Sequence, residues 1–156
     1  MTIMVEAVVE NGLLRPMQPL PLKENERVRI TIQPNATFKE SVAAEVEALA
    51  ALQVNWDSYG APAIDRNIIA AGVQFVRSLP DDLAYRPRVV PMAPGNLQLE
   101  WHEGQKILEL EFETPTTIRF LKWSGDEKFS EEDMIRVSDT HRALDLIQWF
   151  ITGANT

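Results

Sequence analysis

Few residues in this chain could carry chemistry. Cysteine is absent, and His102 and His141 are the only histidines. Nucleophilic catalysis needs an activated serine, threonine or cysteine with a base in reach. No Gly-x-Ser-x-Gly elbow is present to build such a site. His102 is flanked by Glu100 and Glu103. Neighbouring strand residues point to opposite faces, so Glu100 and His102 share a face and Glu103 does not. Two ligands make half a metal site, because three or four must converge. A solvated polar strand face is the simpler reading. The glycines are scattered, and neither phosphate-cradling fingerprint occurs. The expectation is a non-enzymatic protein with no catalytic residue, no cofactor and no metal.

Residues suited to binding are easier to find. Trp56, Asp57 and Tyr59 lie together in a stretch of loop composition, Asn55 to Pro62. Tryptophan and tyrosine are favoured interface anchors. They also close cores at domain edges with their polar atoms hydrogen-bonded, and both readings stand. Arg27 and Arg29 share one side of an alternating run. They could contact phosphates in a dimer, or simply form a wet strand face. Trp56, Asp57, Tyr59, Arg27 and Arg29 are the candidate partner-binding residues. The acidic run Glu127, Glu131, Glu132 and Asp133 reads as a solvated, exposed loop that could also meet a basic partner.

The elements that must position these residues form two modules. Ile3 to Val9 alternates as a strand, with Ile3, Val5, Ala7 and Val9 on one side. Asn11-Gly12 is a strong hairpin signal, since both residues tolerate positive φ. Leu13-Leu14-Arg15 begins the return strand, and Pro16, Pro19 and Pro21 stop it for want of backbone donors. Arg27 to Gln33 alternates again and predicts a third strand. Three short strands are marginal alone, so this module should dimerise, dock or await a partner. A linker, Gln33 to Ala36, leads to the second module, residues 37–156.

That module opens with a capping box at Thr37 and Glu40 and a helix to about Leu52, its apolar stripe being Phe38, Val42, Val46 and Leu49. A second helix starts at the N-cap Asp65 and ends at Pro80. Four strands follow, Arg88–Met92, Leu97–His102, Lys106–Glu113 and Thr116–Trp123. Their short connections imply antiparallel neighbours. Leu97, Leu99 and Trp101 share a face, as do Leu108, Leu110 and Phe112, opposite Glu109, Glu111 and Glu113. A last helix spans about Asp139 to Ile151. The predicted class is α+β: a three-stranded β module over residues 1–34, then helix–helix–four-stranded antiparallel sheet–helix.

Composition bounds the rest. At 156 residues, 45% hydrophobic and 24% charged, the chain can bury a sizeable core. The net charge of −8 lowers the prospect of nucleic-acid binding, which draws on phosphate neutralisation, and favours a basic partner. Residues 1–34 hold equal numbers of acidic and basic residues, so the excess lies in the second module. The N-terminus has neither the basic segment nor the apolar run of a signal peptide, and no stretch is long and apolar enough for a membrane helix. With no cysteine, this points to a cytoplasmic protein that avoids membranes.

The N-terminal module resembles a family of small prokaryotic antitoxins that partner PIN-domain toxins. The matching residues are Val5-Glu6-Ala7-Val8-Val9-Glu10-Asn11-Gly12-Leu13-Leu14-Arg15-Pro16, then Pro19-Leu20-Pro21-Leu22, then Glu24-Asn25-Glu26-Arg27-Val28-Arg29-Ile30-Thr31-Ile32. The family places glycine in the acidic turn; Asn25 stands there here and also tolerates positive φ. The chain departs from the family by some 120 further residues. Within them Asn55-Trp56-Asp57-Ser58-Tyr59-Gly60-Ala61, Pro87 to Pro91, and Leu97-Gln98-Leu99-Glu100-Trp101 resemble an uncharacterised bacterial domain often encoded near toxin–antitoxin genes. The resemblance implies a bacterial antitoxin-like regulator that occludes a partner protein, a PIN-domain ribonuclease toxin. The alternatives are a dimeric DNA-binding autoregulator acting through the N-terminal module, or a structural protein with neither activity.

Overall fold

The computed structural model describes residues 5, 7–10, 12–16, 19–23, 26–30, 38–81, 83, 85–125 and 130–153. They fall in two compact units, Met1–Pro34 and Asn35–Thr156. The class is mixed α+β, with three α-helices, a two-stranded sheet and a five-stranded antiparallel sheet among the described residues.

The first unit contains a hairpin, β1 (Ala7–Glu10) and β2 (Leu13–Pro16). Glu10 pairs with Leu13 and Ala7 with Pro16, so the loop is two residues long. Gly12 has φ 78°, the left-handed backbone such a loop demands. β2 ends at Pro16, as proline chemistry requires. The polar turn closes on itself: the Glu26 N–H donates to the Lys23 carbonyl at 3.1 Å, and the Lys23 N–H donates to the Glu26 carboxylate at 3.0 Å. Among the described residues the expected third strand is not observed. Residues 27–30 lie in no ladder, and residues 31–33 lie outside those described. Alternation says which side an extended segment would bury, but it does not supply the neighbouring strand.

The second unit begins with α1 (Phe38–Ala48), which runs into a 3₁₀ turn, Leu49–Ala51. Thr37 of the proposed capping box lies outside the described residues. After a loop comes α2 (Arg66–Ser78). The Asp65 carboxylate caps it, accepting from the Asn67 N–H at 2.7 Å and the Ile68 N–H at 3.3 Å. Strands β3 (Arg88–Met92), β4 (Asn96–Glu103), β5 (Lys106–Thr114), β6 (Thr117–Ser124) and β7 (Glu131–Arg136) form one sheet in sequence order, every neighbour antiparallel. The chain closes with α3 (Thr140–Thr152), capped by Asp139 and ended by Gly153 at φ 74°, whose N–H returns to the Trp149 carbonyl.

β7 corrects the expected four-stranded sheet. Glu131, Glu132 and Asp133 belong to a strand rather than an exposed loop, while residues 126–129 lie outside those described. Ile135 supplies its buried anchor, opposite Ile118. Its acids meet cations of β6: Glu131 lies 3.4 Å from Lys122, and Glu132 lies 3.4 Å from Arg119. Charge on an outermost strand also discourages further pairing.

The core lies on one face of this sheet. Leu97, Leu99, Trp101, Leu108, Leu110, Phe112, Ile118 and Phe120 are buried there with Val42, Val46, Ile68, Val76, Leu146, Ile147 and Phe150 from the helices. Gly72 sets how closely α2 can approach. A Cβ at that position would stand 2.8 Å from Leu97 Cδ2 and 3.3 Å from Val46 Cγ1. Among the described residues no helix is long and apolar enough to cross a membrane.

Gly72→Val should overpack this contact and destabilise the larger unit by about 1–3 kcal/mol. Urea denaturation followed by tryptophan fluorescence would show a lower midpoint with an unchanged slope. A midpoint equal to wild type would mean that α2 has slack against β4.

Candidate functional site

Residues 55–62 form a self-bonded loop between the 3₁₀ turn and α2. Asn55 has φ 68°, Ser58 66° and Gly60 94°, three left-handed residues that need local bonds to hold them. The Asn55 N–H donates to the Ala61 carbonyl at 2.7 Å, and the Asn55 side-chain oxygen accepts from the Gly60 N–H at 2.8 Å. One Asp57 carboxylate oxygen accepts from the Tyr59 N–H at 2.8 Å and the Ala61 N–H at 3.0 Å. Those amides, Ala61's first and then Tyr59's, hold the Asp57 carboxyl below its usual pKa. Half-buried Trp56 packs on the core, and its indole N–H donates to the Pro62 carbonyl at 2.9 Å. Trp56 and Asp57 therefore build the loop, and Tyr59 is what the loop presents: its side chain is 94% exposed. Val54, just before the loop, is exposed as well.

The sheet face opposite the helices carries Glu100, Glu109, Glu111, Glu113 and Glu132 among other polar and apolar side chains. Arg119 organises one part of it, lying 2.6 Å from Glu111, 2.9 Å from Glu113 and 3.4 Å from Glu132. The hydrogen bond to Glu111, then the charges of Glu111 and Glu113, hold the guanidinium pKa above its ordinary value. A second group sits further along the face. His102 Nε2 is 2.7 Å from Glu100 Oε1, and Glu109 stands directly opposite Glu100 on β5. Partial burial and the neighbouring Glu100 raise the Glu109 pKa. One ligand atom from each of Glu100, His102 and Glu109 lies within 4.8 Å of the others. Glu109 was absent from the pair Glu100 and His102 seen in the sequence. A signal for it existed, because a two-residue Gly104-Gln105 turn fixes the register that sets Glu109 against Glu100.

The N-terminal unit carries a different surface. Leu13 is 74% exposed and Ile30 65%; Val8, Leu14, Leu20, Leu22 and Val28 are exposed as well. Seven aliphatic side chains of this small unit are thus open to solvent. Arg27 and Arg29 are exposed among them, in irregular backbone rather than on a strand. The unit also holds the surface ion pair Arg15–Glu10, which at 3.5 Å and high exposure contributes little. Residues 1–57 match the AF2212-like family model. The match runs past the residues that carry the antitoxin resemblance, through α1 and into the loop as far as Asp57. It covers well under half of the chain, so the likeness concerns this N-terminal part. Neither a curated protein nor a solved structure matches the chain. The candidate partner-binding residues thus lie in two places: Arg27 and Arg29 in the first unit, and Trp56, Asp57 and Tyr59 in the second.

The Asp57 carboxyl generates a pH prediction. A depressed folded-state pKa contributes stability that is present above the unfolded value, near 3.8, and is lost as pH falls through the folded value below it. Asp57→Asn keeps an acceptor oxygen and removes the charge. Its stability should fall less steeply with acid in that window than the wild type's. Parallel acid limbs in urea melts of the two proteins would contradict the assignment.

Proposed function

We propose that the chain is an antitoxin-like regulator that binds a partner protein and occludes its working surface, without catalysing a reaction itself. The observation that carries this reading is the AF2212-like match over residues 1–57. The exposed aliphatic surface of the N-terminal unit supports it, because bare apolar area is stabilised by a covering partner. The second unit carries the whole net charge of −8, which suits a basic target and speeds its encounter. An RNA-cleaving enzyme must hold phosphates and so offers basic surface. The proposed partner is therefore a basic ribonuclease of the PIN-domain toxin class. In the first unit Leu13, Leu14 and Ile30 would supply an apolar seat, with Arg27 and Arg29 as polar contacts at its rim; in the second unit Tyr59 would make a separate contact.

The test uses the tagged full-length chain as bait in a lysate of its own host. A basic ribonuclease should be recovered at near-equal amount, and adding the chain should suppress its RNA cleavage. Leu13→Glu should abolish recovery by placing a charge in the apolar seat. Tyr59→Ala should weaken binding about tenfold, roughly 1.4 kcal/mol. Recovery of nothing at low or moderate salt would overturn the reading. Salt-dependent retention of the chain on its own promoter DNA would replace it with the autoregulator alternative.

A further inference from the structure

The sheet face opposite the helices is unevenly neutralised. Glu100 and Glu109 are directly opposed across β4 and β5, where like charges destabilise a pair. Two residues further along β5, Glu111 has Arg119 at 2.6 Å, and Glu113 has it at 2.9 Å. Glu109 makes no ion pair among the described residues, although it is only partly exposed. Arg88 faces Glu100 from β3 in the ladder but stands in no ion pair with it. Glu100 meets His102 alone, at 2.7 Å. The two carboxylates are thus brought together by backbone register with no fixed cation between them, and an imidazole joins them on the same face.

Those are the donor types and the number that a borderline divalent cation takes. Imidazole suits Zn²⁺ and is a poor ligand for Mg²⁺ or Ca²⁺, which prefer all-oxygen shells. Zn²⁺ binds nitrogen and carboxylate oxygen at about 2.0–2.2 Å, which places neighbouring donors about 3.3 Å apart in a tetrahedron. Donors already within 4.8 Å of one another reach that spacing by side-chain rotation. Their backbones are held by the β4–β5 hairpin, whose register is fixed. We propose that Glu100, His102 and Glu109 form a site for one Zn²⁺-class divalent cation. Water completes the coordination, and the ion joins β4 to β5 while offsetting the carboxylate repulsion. The proposal is independent of the antitoxin-like reading, and its test uses no partner.

Zn²⁺ alone is titrated by calorimetry into the metal-free full-length chain. One ion should bind per chain with saturation. His102→Ala and Glu109→Gln should each weaken binding by at least about tenfold, and His141→Ala should leave it unchanged. A thermal melt supplies the second reading. Without metal, Glu109→Gln should melt at or above the wild-type midpoint, because a like-charge contact is gone. With saturating Zn²⁺ the wild type should gain and the variant should not. The absence of saturable binding would overturn the proposal. So would binding that survives both ligand substitutions, or binding that is lost with His141→Ala. A metal-free Glu109→Gln protein that melts well below wild type would overturn it too, since Glu109 would then be a structural partner.

Discussion

The larger unit depends on a one-sided sheet. Leu97, Leu99 and Trp101 on β4, and Leu108, Leu110 and Phe112 on β5, turn to the helices and are buried. Period-two geometry then forces Gln98, Glu100 and His102, with Glu109, Glu111 and Glu113, to the other face. The acidic face is thus the necessary complement of the core, and a one-residue slip in register would bury the acids and expose the leucines. Gly72, with no side chain, lets α2 come close enough to seal the buried face over Leu97. Lys122 and Arg142 both meet Glu131, tying the outermost strand to the sheet and to α3.

The N-terminal unit obeys a different balance. It contains too few residues to bury the side chains that its strands and Leu-Pro-Leu segment supply, so aliphatic surface faces outward. In the larger unit, polar side chains are absorbed by local bonds, as Asn55 and Asp57 show within their loop. The two units thus differ in character: the first leaves aliphatic side chains bare, and the second carries the net negative charge.

Much of this was legible in the sequence because turns punctuate it. The four strands between Arg88 and Ser124 are bounded by Gly95, Gly104 and Thr114-Pro115, and the structure moves their ends by a residue or so. Asp65 capped α2 as expected, since an aspartate ahead of Arg66-Asn67-Ile68 has free helix amides to accept from. β7 was not legible. Only Ile135 marks its buried side, and Glu-Glu-Asp has the composition of a solvated loop; its pairing with β6 is a tertiary fact. The expected third strand of the N-terminal unit is the opposite case: Arg27 to Ile30 alternate cleanly but have no paired neighbour among the described residues, and residues 31–33 lie outside them. At the candidate sites, Trp56, Asp57 and Tyr59 were visible as a cluster, but their division of labour depends on left-handed backbone at Asn55 and Ser58. The approach of Glu109 to Glu100 and His102 requires the register of two strands.

The central claim is that the exposed apolar surface of the N-terminal unit is the seat of a partner protein. Hydrogen exchange read by mass spectrometry, on the full chain alone and then saturated with a candidate basic ribonuclease, tests it most directly. The account predicts fast exchange over residues 7–16 in the free chain and marked protection there in the complex, with a smaller gain around Tyr59. Protection confined to the larger unit, with residues 7–16 exchanging equally fast in both states, would contradict it.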